Sequence, residues 1–313
     1  MPRLMQLLAA WCLAGILASG GMAAAAPGPG RAVGAEVRVS SAGAGEVTPA
    51  VAWNPAAGQY LVVWEDGRTE GTTGTNLYGR LLAATGAPAG SDFLIASGPG
   101  TSRQQAPAVA WNVDSYLVVW QDWRNGVDPD IWGRRLAANG VPAAAEFRIS
   151  RQTAAGDQRN PAVAWDEAAG RYLVVWDDYR AAATRGADIY GRLIDGGGAA
   201  VAPDFRISRL ASLTHQISPS VAWNAGSNDF LVVWEDHRDE SDYRIFGRLV
   251  DGASGLPEGG DIRVSGSGAQ NALLPAVASD GSGYLVGWED WREYTEDVLN
   301  IGSIYGRQVG ADG

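Results

Sequence analysis

The stretch "YLVVWEDGR" at Tyr60–Arg68 decides the fold, because the chain repeats it four more times. The other copies are "YLVVWQDWR" (Tyr116–Arg124), "YLVVWDDYR" (Tyr172–Arg180), "FLVVWEDHR" (Phe230–Arg238) and "YLVGWEDWR" (Tyr284–Arg292). Each copy is rich in Val, Tyr and Trp, which is typical of a β-strand. Its apolar residues occupy successive positions, which indicates a strand that is covered on both faces.

Three further segments recur in the same order around each copy. A "PAVAW"-type segment precedes it, and segments of the "IYGR" and "DFRIS" types follow it, with matching positions 54 to 59 residues apart. Four short strands per repeat, buried on both faces, are typical of the blades of a β-propeller. The sequence therefore predicts an all-β, five-bladed β-propeller of four-stranded antiparallel blades.

The fourth-strand segments are offset along the chain. The fifth repeat ends at "IYGRQVGADG" without one, while a matching segment, "EVRVS" (Glu36–Ser40), stands alone before the first repeat. We expect this N-terminal strand to complete the C-terminal blade and so close the ring, because closure removes an exposed sheet edge. The predicted propeller spans residues 36–311, after a Gly/Pro-rich linker at residues 27–35.

The first 26 residues have the features of a secretory signal peptide. Arg3 precedes an apolar run and a small-residue tract, and the run is too short for a membrane anchor. We therefore expect a secreted, periplasmic or cell-surface protein without membrane insertion. Cys12, the single cysteine, lies in this run, which excludes a disulfide framework in the mature chain.

Charge limits the partners that the protein can have. The chain contains no lysine, and its net charge of −11 at pH 7 disfavours nucleic acid and other polyanions. A phosphate-binding P-loop and Schiff-base chemistry both need a lysine and are excluded. We expect a monomer that contacts a glycan or a protein surface.

The repeats resemble those of secreted bacterial short-repeat propellers that carry "LVVWxDxR". In blade number, the chain is also similar to the five-bladed lectins of the tachylectin type, which bind amino sugars at repeated sites. The first resemblance covers all five repeats. The second implies a lectin-like role, but no tachylectin motif is present to transfer residue by residue.

The Asp and Arg that end each copy are predicted to form a structural clamp. These ten residues are Asp66, Arg68, Asp122, Arg124, Asp178, Arg180, Asp236, Arg238, Asp290 and Arg292. Because a planar guanidinium pairs well with a carboxylate, and a buried charge needs a partner, we expect them to lock each blade to its neighbour.

The residue between Asp and Arg is aromatic in four copies: Trp123, Tyr179, His237 and Trp291. Rings at the start of a polar loop can stack on a sugar or a protein. The main interpretation is therefore a non-enzymatic binding or scaffold protein that uses this loop face. A packing role for each ring against the adjacent loop is the alternative.

Two other functions stay open. One is a glycoside hydrolase or lyase-type propeller with carboxylates at the central channel. Glycoside hydrolysis needs two acids in different environments, whereas near-identical repeats predict equal ones. The other is a purely structural surface protein. No catalytic residues, metal site or cofactor are assigned. His215 and His237 lack a third ligand, and Asp128–Gly133 has two acids but not the spacing of a calcium loop, which leaves calcium as a minor possibility.

Overall fold

The structure is a computed structural model of the chain, and it describes residues 36–43, 45–151, 156–209, 214–238, 242–292 and 302–313. The predicted signal peptide at residues 1–26 and the linker at 27–35 lie outside the described residues. The strands form five antiparallel sheets, four of four strands and one of three. The prediction of an all-β, five-bladed fold is confirmed.

Each sheet is one repeat, and its strands follow the repeated segments in order. Blade 1 consists of β1 (Val47–Asn54), β2 (Gln59–Asp66), β3 (Asn76–Ala83) and β4 (Phe93–Ala96). Blade 2 consists of β5 (Gln104–Trp111), β6 (Ser115–Asp122), β7 (Asp130–Ala137) and β8 (Phe147–Arg148). Blade 3 consists of β9 (Gln158–Asp166), β10 (Arg171–Asp178), β11 (Asp188–Asp195) and β12 (Phe205–Arg206).

The last two blades differ in strand number. Blade 4 consists of β13 (Gln216–Asn224), β14 (Asp229–Asp236), β15 (Arg244–Asp251) and β16 (Ile262–Arg263). Blade 5 consists of β17 (Leu273–Ser279), β18 (Gly283–Asp290) and β19 (Ser303–Gly310). The two described helices, α1 (Glu70–Thr73) and α2 (Ala182–Arg185), are one turn each. Neither is long enough to cross a bilayer, and the described chain contains no other helix.

The hydrophobic core lies between blades, as the continuous apolar run of the second strand predicts. Alternate side chains of β10 point to opposite faces of the sheet. Tyr172, Val174 and Trp176 pack against blade 2, whereas Leu173 and Val175 pack against blade 4. All five are fully buried. Burying a large apolar side chain stabilises a fold by roughly 1.5–3 kcal/mol, so this strand joins three blades.

In blades 1 to 3, a glycine in the third strand leaves room for the fourth strand that packs on it. A Cβ atom at Gly133 would lie 2.8 Å from Cδ1 of Ile149, and one at Gly191 would lie 2.8 Å from Cδ1 of Ile207. In blade 5 the nearest atom to a Cβ at Gly306 would be 3.5 Å away. Blade 5, which has no fourth strand, thus lacks the close contact found in blades 2 and 3.

The expected closure of blade 5 by Glu36–Ser40 is not formed. This segment has no strand structure, and it contacts blade 1, where Arg80 Nη1 donates to the carbonyl oxygen of Val39 at 2.7 Å. Arg134 makes the same bond to Ile95 of blade 1, at 2.6 Å. Relative to blade 1, the segment therefore lies where the fourth strand of a preceding blade would lie. It does not pair with β19.

The junction between blades 5 and 1 is consequently open. The first strands of the four other neighbouring pairs pack together, and β17 and β1 form no comparable contact in the described chain. Leu285 is 57% exposed and Ile304 is 78% exposed, while Leu231, the counterpart of Leu285 in blade 4, is fully buried. Repeats that are alike in sequence thus have unequal surroundings.

Candidate active site at the channel mouth

The Asp–Arg pairs form the same set of hydrogen bonds in all five blades. In blade 3, Oδ1 of Asp178 accepts the backbone N–H of Arg180 at 2.9 Å and its Nε at 2.8 Å. Oδ2 accepts Nη2 of Arg180 at 2.6 Å and Nε1 of Trp176 at 2.9 Å. The five aspartates are at most 1% exposed. Each is a buried carboxylate whose charge is neutralised by its own arginine.

These arginines also contact the outer strands of their own blade. Arg124 Nη2 donates to Glu146 at 2.7 Å, and its guanidinium stacks on Trp132 with 3.7 Å to the ring centroid. Arg68, Arg180 and Arg238 bond to the equivalent acids Asp92, Asp204 and Asp261. Among the described residues, these bonds tie together the strands of one blade. They do not join neighbouring blades, which corrects the expectation that the clamp locks each blade to its neighbour.

The clamp bonds also affect the pKa values of the aspartates. Burial alone would raise the pKa of Asp290, but the bonds from Arg292 and Trp288 lower it to about 2. The pKa of Asp66 is lowered in the same way, against burial, by Arg68 and Trp64. These carboxylates are ionised at neutral pH and fully hydrogen-bonded, so they are unsuited to proton transfer.

The four loop aromatics are half-buried and lie against the loops that link consecutive blades. The backbone N–H of Trp123 donates to the carbonyl oxygen of Arg103 at 2.9 Å, and that of Tyr179 donates to Asp157 at 2.8 Å. The guanidinium of Arg159 lies 5.9 Å from the Trp123 ring and 5.5 Å from the Tyr179 ring. These two rings therefore already have a protein partner between them.

The other two loop aromatics are in similar positions. His237 stacks on Tyr243 with 4.5 Å between centroids, and its backbone N–H donates to the carbonyl oxygen of His215 at 3.0 Å. The N–H of Trp291 donates to the carbonyl oxygen of Gln270 at 2.9 Å. The structure does not bring the four rings together into one continuous stacking surface, because each packs in its own interblade junction.

The position directly before each clamp aspartate forms a second, separate set. Its members are Glu65, Gln121, Asp177, Glu235 and Glu289. Because neighbouring residues of a strand point to opposite faces, this side chain turns away from the clamp. Each pairs in register with the beginning of the first strand, the strand that packs around the centre of the propeller. We call these five residues the channel-mouth set.

The channel-mouth set bonds to a backbone bulge in the next blade. Every first strand has a residue with positive φ near its start: Thr48, Ala106, Asn160, Ser218 and Leu274. The N–H of Ala106 donates to Glu65 at 2.8 Å, that of Asn160 to Gln121 at 3.2 Å, that of Ser218 to Asp177 at 3.0 Å and that of Leu274 to Glu235 at 2.8 Å. These four bonds join consecutive blades around the channel.

Two of these carboxyl groups have strongly raised pKa values. The pKa of Asp177 is raised to about 8, mainly by burial and also by the nearby Glu235, although the hydrogen bonds from Asn160 and Ser218 lower it. The pKa of Glu235 is also raised, to about 7, mainly by burial. The charge of Glu289 contributes to this increase, and the hydrogen bond from the N–H of Leu274 opposes it. Both groups are therefore largely protonated in mildly acidic conditions.

Glu289 has different surroundings from the other carboxyl groups of the set. It is half-exposed, because the open junction leaves blade 5 without a neighbour on that side. Within the described residues no bulge N–H reaches it, and the hydroxyl of Thr48 donates to Glu65 instead. An accessible carboxylate thus lies close enough to Glu235 to raise the pKa of that buried acid.

Two phenols and a guanidinium lie beside these acids. The pKa of Tyr179 is raised to about 12 by burial and by the charge of Asp177. Burial and Glu235 raise the pKa of Tyr243. Arg159 acts in the opposite direction on Asp177 and lowers its pKa. The channel mouth therefore contains protonated acids, a carboxylate and neutral phenols, which is an arrangement suited to general acid–base chemistry.

The possible calcium loop has another set of partners. Asp128 Oδ1 accepts an N–H of the Asn125 amide at 2.8 Å, and its Oδ2 accepts the N–H of Gly156 at 3.0 Å. Asp130 forms an ion pair with Arg148. The carboxylate oxygens thus face N–H donors, which compete with a cation for the same lone pairs.

The comparisons with known proteins agree with the fold. The chain matches no protein family description and no curated protein. It is similar to an alpha-L-arabinanase from Penicillium chrysogenum, solved with arabinobiose, with a TM-score of 0.56 and 13% identity over 80% of this chain and 79% of the other. It is also similar to an alpha-L-arabinofuranosidase from Fusarium graminearum, solved with an iminosugar inhibitor, with a TM-score of 0.56 and 12% identity over 81% and 72% of the two chains.

These findings correct the main functional interpretation. At such identities the likeness establishes the propeller fold alone, and these two similar proteins are glycoside-cleaving enzymes by name. The interpretation as a non-enzymatic binding or scaffold protein is therefore wrong, and the hydrolase alternative agrees better with the findings. The physical error was to expect equal environments from near-identical repeats. No role was predicted for Asp177, Glu235 and Glu289, although Gln121, the one residue without a carboxyl group at this position, marks the position as separate from the clamp.

Proposed function

We propose that the protein hydrolyses glycosidic bonds at the channel mouth, with Glu235 as the general acid and Glu289 as the carboxylate that acts on the water. The observation that carries this proposal is the unequal pair of acids. Glu235 is buried with a pKa of about 7, and the half-exposed, negatively charged Glu289 lies near it. Glycoside hydrolysis needs one protonated and one ionised carboxyl group on either side of the scissile bond.

The proton transfers follow from these two environments. The carboxyl O–H of Glu235 donates its proton to the glycosidic oxygen as the bond from that oxygen to the anomeric carbon breaks. A water molecule attacks the anomeric carbon, and Glu289 accepts its proton. Asp177, which has a pKa of about 8 and bonds to Asn160 and Ser218, stays neutral and keeps the negative charge near Glu235 low.

The substrate class is proposed from the names of the similar enzymes and from the accessible side chains at the mouth. Arabinan and aryl arabinofuranosides are the first compounds to assay, because both similar structures are named for arabinose-containing substrates. Tyr179, Tyr243 and Arg159 would contact the sugar hydroxyl groups. The predicted signal peptide would deliver such an enzyme to the polysaccharide outside the cytoplasm.

The experiment compares four proteins: wild type, Glu235→Gln, Glu289→Gln and Glu65→Gln. We expect Glu235→Gln to lower kcat on arabinan by 10²–10⁴-fold, the usual contribution of a general acid. A substrate with a dinitrophenyl leaving group, which needs no proton, should recover much of that loss. Glu289→Gln should lose activity on both substrates.

Glu65→Gln is the matched control, because Gln121 shows that the fold accommodates glutamine at this position. It should change kcat by less than about twofold, since Glu65 is not part of the proposed pair. Wild type that hydrolyses none of a panel of arabinan, xylan and aryl glycosides would contradict the proposal. Equal losses in the Glu65 and Glu235 variants would contradict the assignment of the acid.

A further inference from the structure

We propose that the pocket between blades 1 and 2 binds a carboxylated sugar, a uronic acid residue, of the same glycan. This inference rests on the proposed function, because it names an acidic polysaccharide as the substrate. The pocket has a volume of about 370 Å³, which is in the range of small-ligand sites. It is lined by Pro99, Thr101, Ser102, Arg103, Trp123, Arg124 and Gly126.

The charge of this pocket is opposite to that of the protein. The chain as a whole has a net charge of −11, yet the lining contains two arginines and neither Asp nor Glu. The charge of Arg124 is already neutralised, because Arg124 forms ion pairs with Asp122 at 2.6 Å and Glu146 at 2.7 Å. Arg103 is exposed and its guanidinium has no acidic partner among the described residues. The uncommitted charge in the pocket is therefore positive.

The aromatic wall of the pocket supplies the second part of a sugar site. Trp123 is half-buried, and its indole N–H has no acceptor in the described part of the chain. This N–H is itself buried, but the C–H face of a pyranose ring can pack on the exposed part of the indole. Arg103 can then form a bidentate bond with the carboxylate of a uronate, a geometry that a neutral sugar cannot use.

The corresponding positions of the next blades lack this combination. The backbone partner of Tyr179 is Asp157, a carboxylate paired with Arg159, and the partner of His237 is His215. The loop residue whose carbonyl oxygen accepts the backbone N–H is thus an arginine for Trp123. It is an aspartate for Tyr179 and a histidine for His237. Among these three described junctions, only that of blades 1 and 2 places a tryptophan beside an arginine without an acidic partner. One acidic sugar is therefore bound at one place in the ring.

The test uses a xylotetraose that carries one glucuronic acid residue and the methyl ester of the same compound. The ester keeps the shape and removes only the charge. By isothermal titration calorimetry we expect the acid to bind wild type at least tenfold more tightly than the ester. Raising the salt from 50 to 500 mM should reduce this difference, because an exposed ion pair is screened.

Two variants locate the binding. Arg103→Gln should abolish the difference between acid and ester while leaving the melting temperature unchanged, because Arg103 is exposed. Trp123→Ala should weaken both ligands alike, and its fold is checked by circular dichroism. Arg151→Gln is the matched control, because Arg151 is an exposed arginine outside the pocket lining, and it should keep the preference for the acid.

The outcomes separate this inference from the proposed function. Equal affinity for acid and ester, no binding of either, or a preference that survives Arg103→Gln would overturn the pocket assignment. Arg103→Gln should hydrolyse neutral arabinan at the wild-type rate, so a failure of the pocket leaves that activity intact. Binding of the acid without hydrolysis of any glycan would support the pocket and contradict the catalytic proposal.

Discussion

Blades 4 and 5 contain nearly the same motif in different surroundings. The copy in blade 4 is "FLVVWEDHR" and that in blade 5 is "YLVGWEDWR". Leu231 is fully buried against blade 5, whereas Leu285 is 57% exposed at the open junction with blade 1. Glu235 is buried and accepts a bond from the next blade, whereas Glu289 is half-exposed. The environment of a repeated residue is therefore determined by its place in the ring as well as by its own blade.

The clamp is the feature that blades 4 and 5 share. Asp236→Ala and Asp290→Ala should each lower the free energy of unfolding by about 3–5 kcal/mol, because each removes the buried carboxylate that accepts bonds from a half-buried arginine and a buried indole N–H. Urea denaturation measures both values. A large loss in blade 4 with none in blade 5 would show that clamp stability depends on the neighbouring blade, against the contacts described above.

The apolar strand is where the two blades should differ most clearly. Leu231→Ala creates a cavity between blades and should cost about 2–5 kcal/mol, whereas Leu285→Ala should cost less than about 0.5 kcal/mol. The same denaturation curves give both values. If Leu285→Ala were as costly as Leu231→Ala, the junction between blades 5 and 1 would be closed in solution.

A smaller effect is expected in the pH dependence of stability. The pKa of Glu235 is raised from 4.5 to about 7 in the folded state, mainly by burial. The folded protein therefore keeps a proton that the unfolded chain loses, and stability falls as the pH rises from about 4.5 through about 7. The slope from this group is at most about 1.4 kcal/mol per pH unit. Glu235→Gln should reduce this decline in melting temperature between pH 5 and 8, while the part due to Asp177, whose pKa is raised to about 8, remains.

Glu289→Gln sharpens the same measurement. Because the charge of Glu289 contributes to the raised pKa of Glu235, removing it should shift the decline in stability towards lower pH. The effect on the pH dependence of stability should be smaller than that of Glu235→Gln, because burial is the larger cause of the raised pKa of Glu235. An unchanged pH profile in Glu289→Gln would mean that the two carboxyl groups are too far apart to act as a catalytic pair.

The catalytic proposal has a related pH signature. Since Glu235 must be protonated, kcat/KM should decrease as the pH rises through about 7. Circular dichroism at pH 8 is the control. An intact fold at that pH shows that the decrease in kcat/KM comes from deprotonation and not from unfolding. Activity that increases steadily from pH 6 to 9 would contradict Glu235 as the acid.

Much of the fold could be predicted from the sequence, and less of the site. The run of apolar residues in "YLVVW" predicted a strand buried on both faces, and Tyr172 to Trp176 are fully buried. Of the adjacent acids Asp177 and Asp178, only Asp178 was given a predicted role, in the clamp. In a strand they point to opposite faces, so Asp178 enters the clamp and Asp177 reaches the bulge of the next blade. That bulge is 41 residues further along the chain, at Ser218.

The loop aromatics show the same limit. Trp123, Tyr179, His237 and Trp291 were predicted at loop starts from their position after the strand. Whether each ring is free depends on partners from other loops, such as Arg159 between Trp123 and Tyr179. Long-range partners of this kind leave no signal in the spacing of the motif itself.

The sequence by itself determined the architecture, because five copies of a locally encoded strand pattern specify five sheets through short-range propensity and periodicity. It also determined the clamp, since Asp, Arg and Trp lie within five residues of one another. Only the tertiary structure decided which carboxyl groups are buried and which is exposed. Desolvation depends on the atoms that surround a group in space, and in a ring those atoms come from the neighbouring blade.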